Sequence, residues 1–206
     1  MTTFGACDVS KGTAFREAWY NCNSLTSFPA LNLSNATNIQ STWLACTSLT
    51  SFPAINMPLL TTAYQAWNGC SGLTSFPAMD LGSTSAGCGF YRAWNGCNSM
   101  TTFGACNLGA ATDFRDTWLN CTSLTTFPAN MFDSATATLY TNTFKNCALT
   151  AASVENILVS IDTSGVSNGT LNIDGGTNAG QASWTSAATT AYNSLVTKGW
   201  TIYANP

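Results

Sequence analysis

Residues 112–128 read TDFRDTWLNCTSLTTFP, and the chain says this phrase, with small changes, six times. Its skeleton is Phe114, Trp118 four residues on, Cys121 three after that, and then Leu124, Thr125, Thr126 and Phe127. Equivalent units open at Met1, Leu25, Leu49, Leu73, Met100 and Leu124, and a degenerate seventh opens at Leu149. The step is 24 residues, apart from 27 in the fourth unit and 25 in the sixth. A period of this length points to a solenoid of units that each bury an apolar face on their neighbours.

Each unit reads as a short strand, a turn and a two-turn helix. Leu25 and Phe28, Leu49 and Phe52, and Leu73 and Phe76 are the inward residues of the strand. Pro29, Pro53, Pro77 or Pro128 follows it, with Gly5 and Gly104 in the other two units. Proline has no N–H to give a ladder, so pairing is expected to stop or turn there. Thr13, Thr37, Thr61, Thr112 and Thr138 form a column of N-cap candidates, with Cys88 in that place in the fourth unit. Asn21, Gly69, Gly96, Asn120 and Asn146 are helix stops that accept a left-handed backbone, Ala45 being the exception. Between start and stop, Phe15, Ala18, Trp19 and Cys22 stand at i, i+3, i+4 and i+7, one apolar stripe of a helix. Stacked units turn Trp19, Trp43, Trp67, Trp94 and Trp118, closed by Phe144, into a core spine rather than a sugar platform.

AWNGCSGLTSFP at 66–77 and AWNGCNSMTTFG at 93–104 resemble the BspA-like leucine-rich repeats of bacterial and phage surface proteins. That family's coil runs approximately A-F-x-x-C-x-x-L-T-x-I/F; Trp replaces the usual Phe here, and the match covers residues 1 to about 148. The fold class expected is α/β. It is a leucine-rich-repeat solenoid of about six 24-residue strand–turn–helix coils over 1–148, with a C-terminal αβαβ cap over 149–206. In that cap, 151–161 and 183–198 read as helices and 169–173 and 200–203 as strands. The resemblance implies surface display, adhesion and protein–protein contact, and it carries no shared catalytic residues. The phrase LNIDGGTNAG…LVTKGWTIYAN also resembles tails of phage fibre-like and bacterial surface repeat proteins.

Composition narrows the chemistry. Charged residues are 7% of 206, histidine is absent, and aromatics reach 12%, so this is a folded chain with an uncharged surface. A net charge of −3 offers no basic patch for nucleic acid, and no apolar run reaches the roughly 18 residues of a membrane span. Residues 1–7, MTTFGAC, match 100–106 letter for letter, so the chain starts inside a repeat with no signal peptide before it. Either a longer protein or some other cover is expected over that first unit.

Of nine cysteines, Cys22, Cys46, Cys70, Cys97, Cys121 and Cys147 occur once per unit, unlike the paired spacing of a zinc site. They are expected as buried free thiols, with Cys88, beside the fourth-unit insertion, the exposed one among Cys7, Cys88 and Cys106. No metal or cofactor is expected. Without histidine there is no Ser–His or Cys–His pair. Asp113 and Asp116 read as helix-start carboxylates rather than a glycosidase pair, and Asp174 before Gly175-Gly176 as a turn rather than a calcium ligand.

Two hydroxyl columns mark the strand face: Thr2, Thr26, Thr50, Thr74, Thr101 and Thr125, and beside them Thr3, Ser27, Ser51, Ser75, Thr102 and Thr126. Threonine suits exposed strand positions, a reading preferred to an ice-binding or polysaccharide-binding array. The varied chemistry lies on the other side, at Arg16, Glu17, Tyr20, Tyr64, Gln65, Tyr91, Arg92, Arg115 and Asp116, or in the insertion around 85–89. These nine residues are the candidate interaction surface. The function expected is a non-enzymatic interaction or display module on a phage virion surface, as fibre, spike or capsid-surface protein. Its partners would be a protein or cell-surface glycan and other virion proteins, with no nucleic acid and no membrane insertion. The rival is a secreted bacterial cell-surface adhesin.

Overall fold

The stripe Phe15, Ala18, Trp19 and Cys22 lies on a run of tight turns and not on a helix. This is seen in a computed structural model of the 206-residue chain that describes residues 2, 4, 5, 7–82 and 88–206. An α-helix returns each N–H to the carbonyl four residues back. Here the Ala18 and Tyr20 N–H groups donate three residues back, to Phe15 and Glu17, at 3.1 and 3.2 Å. The N–H groups between them leave the unit altogether. Phe15, Glu17, Trp19 and Asn21 donate to the carbonyls of Asn38, Gln40, Thr42 and Leu44 at 2.8, 3.0, 2.9 and 2.8 Å.

The leucine-rich-repeat solenoid of six strand–turn–helix coils is therefore corrected. Among the described residues there are two α-helices, α1 (Ala151–Thr163) and α2 (Ser186–Thr197), both beyond the repeats. The strands are short: β1 (Ser75–Phe76), β2 (Thr102–Phe103), β3 (Leu139–Tyr140), β4 (Thr170–Ile173) and β5 (Thr201–Ala204). They form two small parallel sheets, β1-β2 with Phe76 opposite Phe103, and β3-β4-β5. The physical reason lies in the left-handed residues. Glu17 and Asn21 have φ of 58°, and the pair recurs as Ser41 and Ala45, Gln65 and Gly69, Arg92 and Gly96, Asp116 and Asn120, and Asn142 and Asn146. A left-handed residue every fourth position prevents helical propagation, and a two-turn helix rich in Thr and Asn has little intrinsic stability to oppose it.

The N-cap column is corrected with it. The Thr37 hydroxyl donates to the Thr13 carbonyl and the Thr61 hydroxyl to the Thr37 carbonyl, both at 3.0 Å. The column expected to stop helices is left-handed even at Ala45, but it closes turns.

Successive repeats lie in parallel register, and aromatic columns fill the space between their two sides. Trp19, Trp43, Trp67, Trp94, Trp118 and Phe144 stack with centroids 5.6, 5.2, 5.1, 5.4 and 5.0 Å apart. A second stack of Phe28, Phe52, Phe76, Phe103 and Phe127 runs beside it, nearly perpendicular to the indoles; Phe76, for example, meets Trp94 at 5.0 Å and 75°. Offset stacking within a column and edge-to-face contact between columns are the two arrangements the ring quadrupole favours. Their indole N–H groups are left unpartnered at Trp43, Trp67, Trp94 and Trp118, a cost the packing must outweigh.

The cysteine column is buried against the same spine. Five of its six thiols donate to the Trp carbonyl of the preceding unit: Cys46 to Trp19, Cys70 to Trp43 and Cys121 to Trp94 at 3.1 Å, Cys147 to Trp118 at 3.2 Å, and Cys97 to Trp67 at 3.3 Å. All nine cysteines are free. The expectation of an exposed Cys88 is corrected, because its residue is 1% exposed within the hydrophobic core; Cys7 is the exposed thiol and Cys22 is half-buried.

In the C-terminal segment, Thr150 and Thr185 cap α1 and α2, their side chains accepting from the Ser153 and Ala188 N–H groups. Segments 151–161, 169–173, 183–198 and 200–203 overlap α1, β4, α2 and β5 respectively. Buried Asn178 ties this segment to the last repeat. Its amide donates to the Phe144 and Ile173 carbonyls at 2.8 and 3.1 Å and accepts from the Leu149 N–H at 2.9 Å. Ser153 and Ser160 of α1 accept from the Phe127 and Phe132 N–H groups at 3.0 and 2.8 Å.

Candidate functional site

The turns that replace the expected helices set out the candidate residues in rows. Arg16, Gln40, Tyr64, Tyr91 and Arg115 occupy equivalent positions in successive units, just before the first left-handed residue. That residue supplies the next row: Glu17, Ser41, Gln65, Arg92, Asp116 and Asn142. Inter-repeat bonds hold each row at its backbone, since Glu17 donates to Gln40, Ser41 to Tyr64, and Gln65 to Tyr91, at 3.0, 2.8 and 2.9 Å.

Two arrangements result. At the N-terminal end, Arg16, Glu17, Tyr20 and Gln65 line a groove of about 410 Å³ together with Gln40, Ser41 and Leu44. Arg16 Nε lies 3.2 Å from Glu17 Oε1, a solvated pair of little energetic weight. Tyr20 stands 52% exposed.

Further along, Tyr64, Tyr91, Arg92, Arg115 and Asp116 form a cluster. Tyr64 meets Tyr91 edge-on at 6.1 Å, and the Arg92 and Arg115 guanidiniums lie 5.0 and 5.3 Å from the Tyr91 ring centre, in cation–π range. Arg92 Nε donates to Asp116 Oδ2 at 3.1 Å, and Asn142 Nδ2 donates to Asp116 Oδ1 at 3.1 Å. Arg115 grips Asp113 in a fork, Nε to Oδ1 at 3.0 Å and Nη2 to Oδ2 at 2.7 Å, and this carboxylate raises the guanidinium pKa above its ordinary value. Asp113 and Asp116 thus serve two arginines and no helix start.

Tyr64 owes its place to a glycine. A Cβ at Gly89 would collide with Tyr64 Cε1, so the ring lies against that backbone, and it remains 38% exposed. Gly89 closes the insertion singled out in the sequence; residues 85–87 lie outside the described residues. Sequence reasoning missed Gln40, Ser41 and Leu44 as groove residues. Their position in the columns of Arg16, Glu17 and Tyr20 was the signal.

Other surfaces offer less. In the first hydroxyl column of the strand face the threonines are committed to the repeat before them: Thr26, Thr50, Thr74, Thr101 and Thr125 donate to the carbonyls of Thr2, Thr26, Thr50, Thr74 and Thr101 at 3.1–3.3 Å. Thr3 lies outside the described residues. A cavity of about 340 Å³ between α1 and α2 is lined by Val159, Thr163, Ser186, Ala187, Thr190 and Ala191, with Asp162 already bound to Lys198 at 2.8 Å. Asp174 lies 3.6 Å from Lys145 and accepts from Asn172 at 3.2 Å. No group of three or more potential metal ligands occurs among the described residues, and no helix there is long and apolar enough to cross a membrane.

No protein-family model, no curated protein and no solved structure matches the chain.

Proposed function

We propose that this chain is a non-enzymatic interaction module displayed on a phage virion surface, as part of a fibre, spike or capsid-surface protein. The observation that carries the reading is the contrast between frame and face. Beneath the surface the same Trp, Phe, Cys and Leu recur from repeat to repeat, whereas the outward row runs Arg16, Gln40, Tyr64, Tyr91, Arg115. A repetitive frame presenting a varied face is the economy of repeat proteins that bind. Nine free thiols favour assembly in a reducing compartment, as virion components undergo, over a secreted adhesin that passes through an oxidising one. Attachment or virion assembly is the role this supports, with a cell-surface molecule and other virion proteins as partners.

The test is a pull-down of the folded chain against whole bacterial cells, with purified virions blotted for the same chain. Presence in virions is the expected result. Cell binding without virion association transfers the reading to a bacterial adhesin, and neither result leaves a structural spacer.

A further inference from the structure

We infer that the groove beside Tyr20 binds an uncharged oligosaccharide; this rests on the interaction-module reading above and names its ligand. Charge decides the class. Each arginine of the candidate face is matched by a carboxylate of the chain itself: Arg16 by Glu17, Arg92 by Asp116 and Arg115 by Asp113. The groove's only charged residues are Arg16 and Glu17, whose charges cancel, so it favours neither a phosphate, sulfate or acidic sugar nor a cation over an uncharged ligand.

What remains open is suited to hydroxyl-rich rings. Tyr20 presents aromatic surface, and among the described residues the Gln40 and Gln65 amides have no side-chain hydrogen bond within the protein. A carboxamide offers a donor and an acceptor side by side, the pattern that vicinal hydroxyls answer. The groove's volume of about 410 Å³ lies within the range of small-molecule sites.

A neutral peptide fits less well. Extended peptides draw affinity from main-chain hydrogen bonds to an exposed edge. On this face the Glu17, Ser41 and Gln65 N–H groups and the Gln40, Tyr64 and Tyr91 carbonyls are already spent between repeats. The ligand must therefore be recognised through side chains alone, by stacking on tyrosine and by amide contacts.

The experiment probes an array of uncharged hexose and N-acetylhexosamine oligosaccharides, with sialylated and sulfated counterparts, using the full chain. Bacterial cells treated with periodate or with protease are tested in parallel. Expected are binding to uncharged members, insensitivity to added salt, and loss of cell binding after periodate but not after protease. Tyr20→Ala and Gln65→Ala should each weaken binding about ten-fold, the scale of one lost stacking or hydrogen-bonding contact. Tyr203→Ala, an exposed tyrosine on β5 outside the groove, should leave binding unchanged. Preference for acidic sugars, or full binding by Tyr20→Ala and Gln65→Ala together, overturns the inference. Cell binding that resists periodate and is lost to protease overturns it while leaving the interaction module standing. Absence of cell binding, array binding and virion association overturns both.

Discussion

Glu17, Ser41, Gln65, Arg92, Asp116 and Asn142 hold the left-handed conformation with φ between 53° and 58°, at about 1–2 kcal/mol each for residues bearing a Cβ. The first five can do so because their N–H groups find backbone carbonyls in the next unit, and the Asn142 N–H finds Asn172 Oδ1. Ala45, at φ 62°, gives the cleanest measure of this strain, since its neighbour in the same column is Gly69. Ala45→Gly should raise stability by about 0.5–1 kcal/mol, the strain relieved less glycine's entropy, read as a higher urea midpoint at unchanged m value. Gly69→Ala should lose a similar amount, because a Cβ there meets the Ala45 backbone no closer than 3.7 Å and the penalty is conformational. Thiols offer a second residue-scale test. In the folded chain a disulfide-exchange reagent should modify Cys7 quickly and Cys22 more slowly, the other seven reacting only after denaturation. Rapid labelling of Cys88 would contradict its buried position.

At the scale of the element, the apolar stripe was legible and the backbone beneath it was not. Spacings of three and four residues put Phe114, Thr117, Trp118 and Cys121 on one side of a helix, but overlapping turns of three-residue closure do the same. Local pattern therefore identified what is buried and not how the chain travels. In α1 and α2 the ambiguity is smaller, because the apolar spacing persists over 13 and 12 residues behind a threonine cap. Asn178 carried no sequence signal, being one asparagine in a chain rich in them, yet it joins these elements to the last repeat. Asn178→Ala should cost about 3 kcal/mol, since three buried backbone groups lose their partner at once. Thermal melting followed by tryptophan fluorescence measures this; a change in midpoint below one degree would mean that water replaces the amide.

Across the whole molecule, the buried thiols make stability depend on alkaline pH. In an unfolded chain such thiols titrate near about 8.5. Burial pushes Cys46 to about 11 and Cys88, Cys97, Cys106 and Cys147 to about 12, and Cys70 and Cys121 well above their ordinary value. Between those limits the native state keeps protons that the unfolded chain releases, so unfolding is favoured as pH rises. Stability should be level below about pH 8.5 and fall progressively toward pH 12. Urea midpoints measured across that range under reducing conditions check this, and Cys97→Ala should flatten the slope. The cysteine column also explains why most of the candidate residues face outward: it fixes the interior side of every turn, although Asp116 is itself buried beneath Arg92 and Asn142.

The amino-acid sequence by itself determined the 24-residue period, the aromatic and cysteine columns that become the core, the absence of histidine chemistry and the elements that follow residue 150. Each of these depends on which residues are apolar and how they are spaced, and that is local information. Tertiary structure alone decided that the turn side is not helical, that Asp113 and Asp116 bind arginines, that Cys88 is buried and that Gly89 seats Tyr64. Apart from the Asp113–Arg115 pair, two residues apart, these depend on partners 24 or more residues away or on the backbone of a neighbouring repeat. A hydrogen bond from Glu17 to Gln40 has no trace in the letters around Glu17, because the acceptor exists only once the next repeat has stacked upon it.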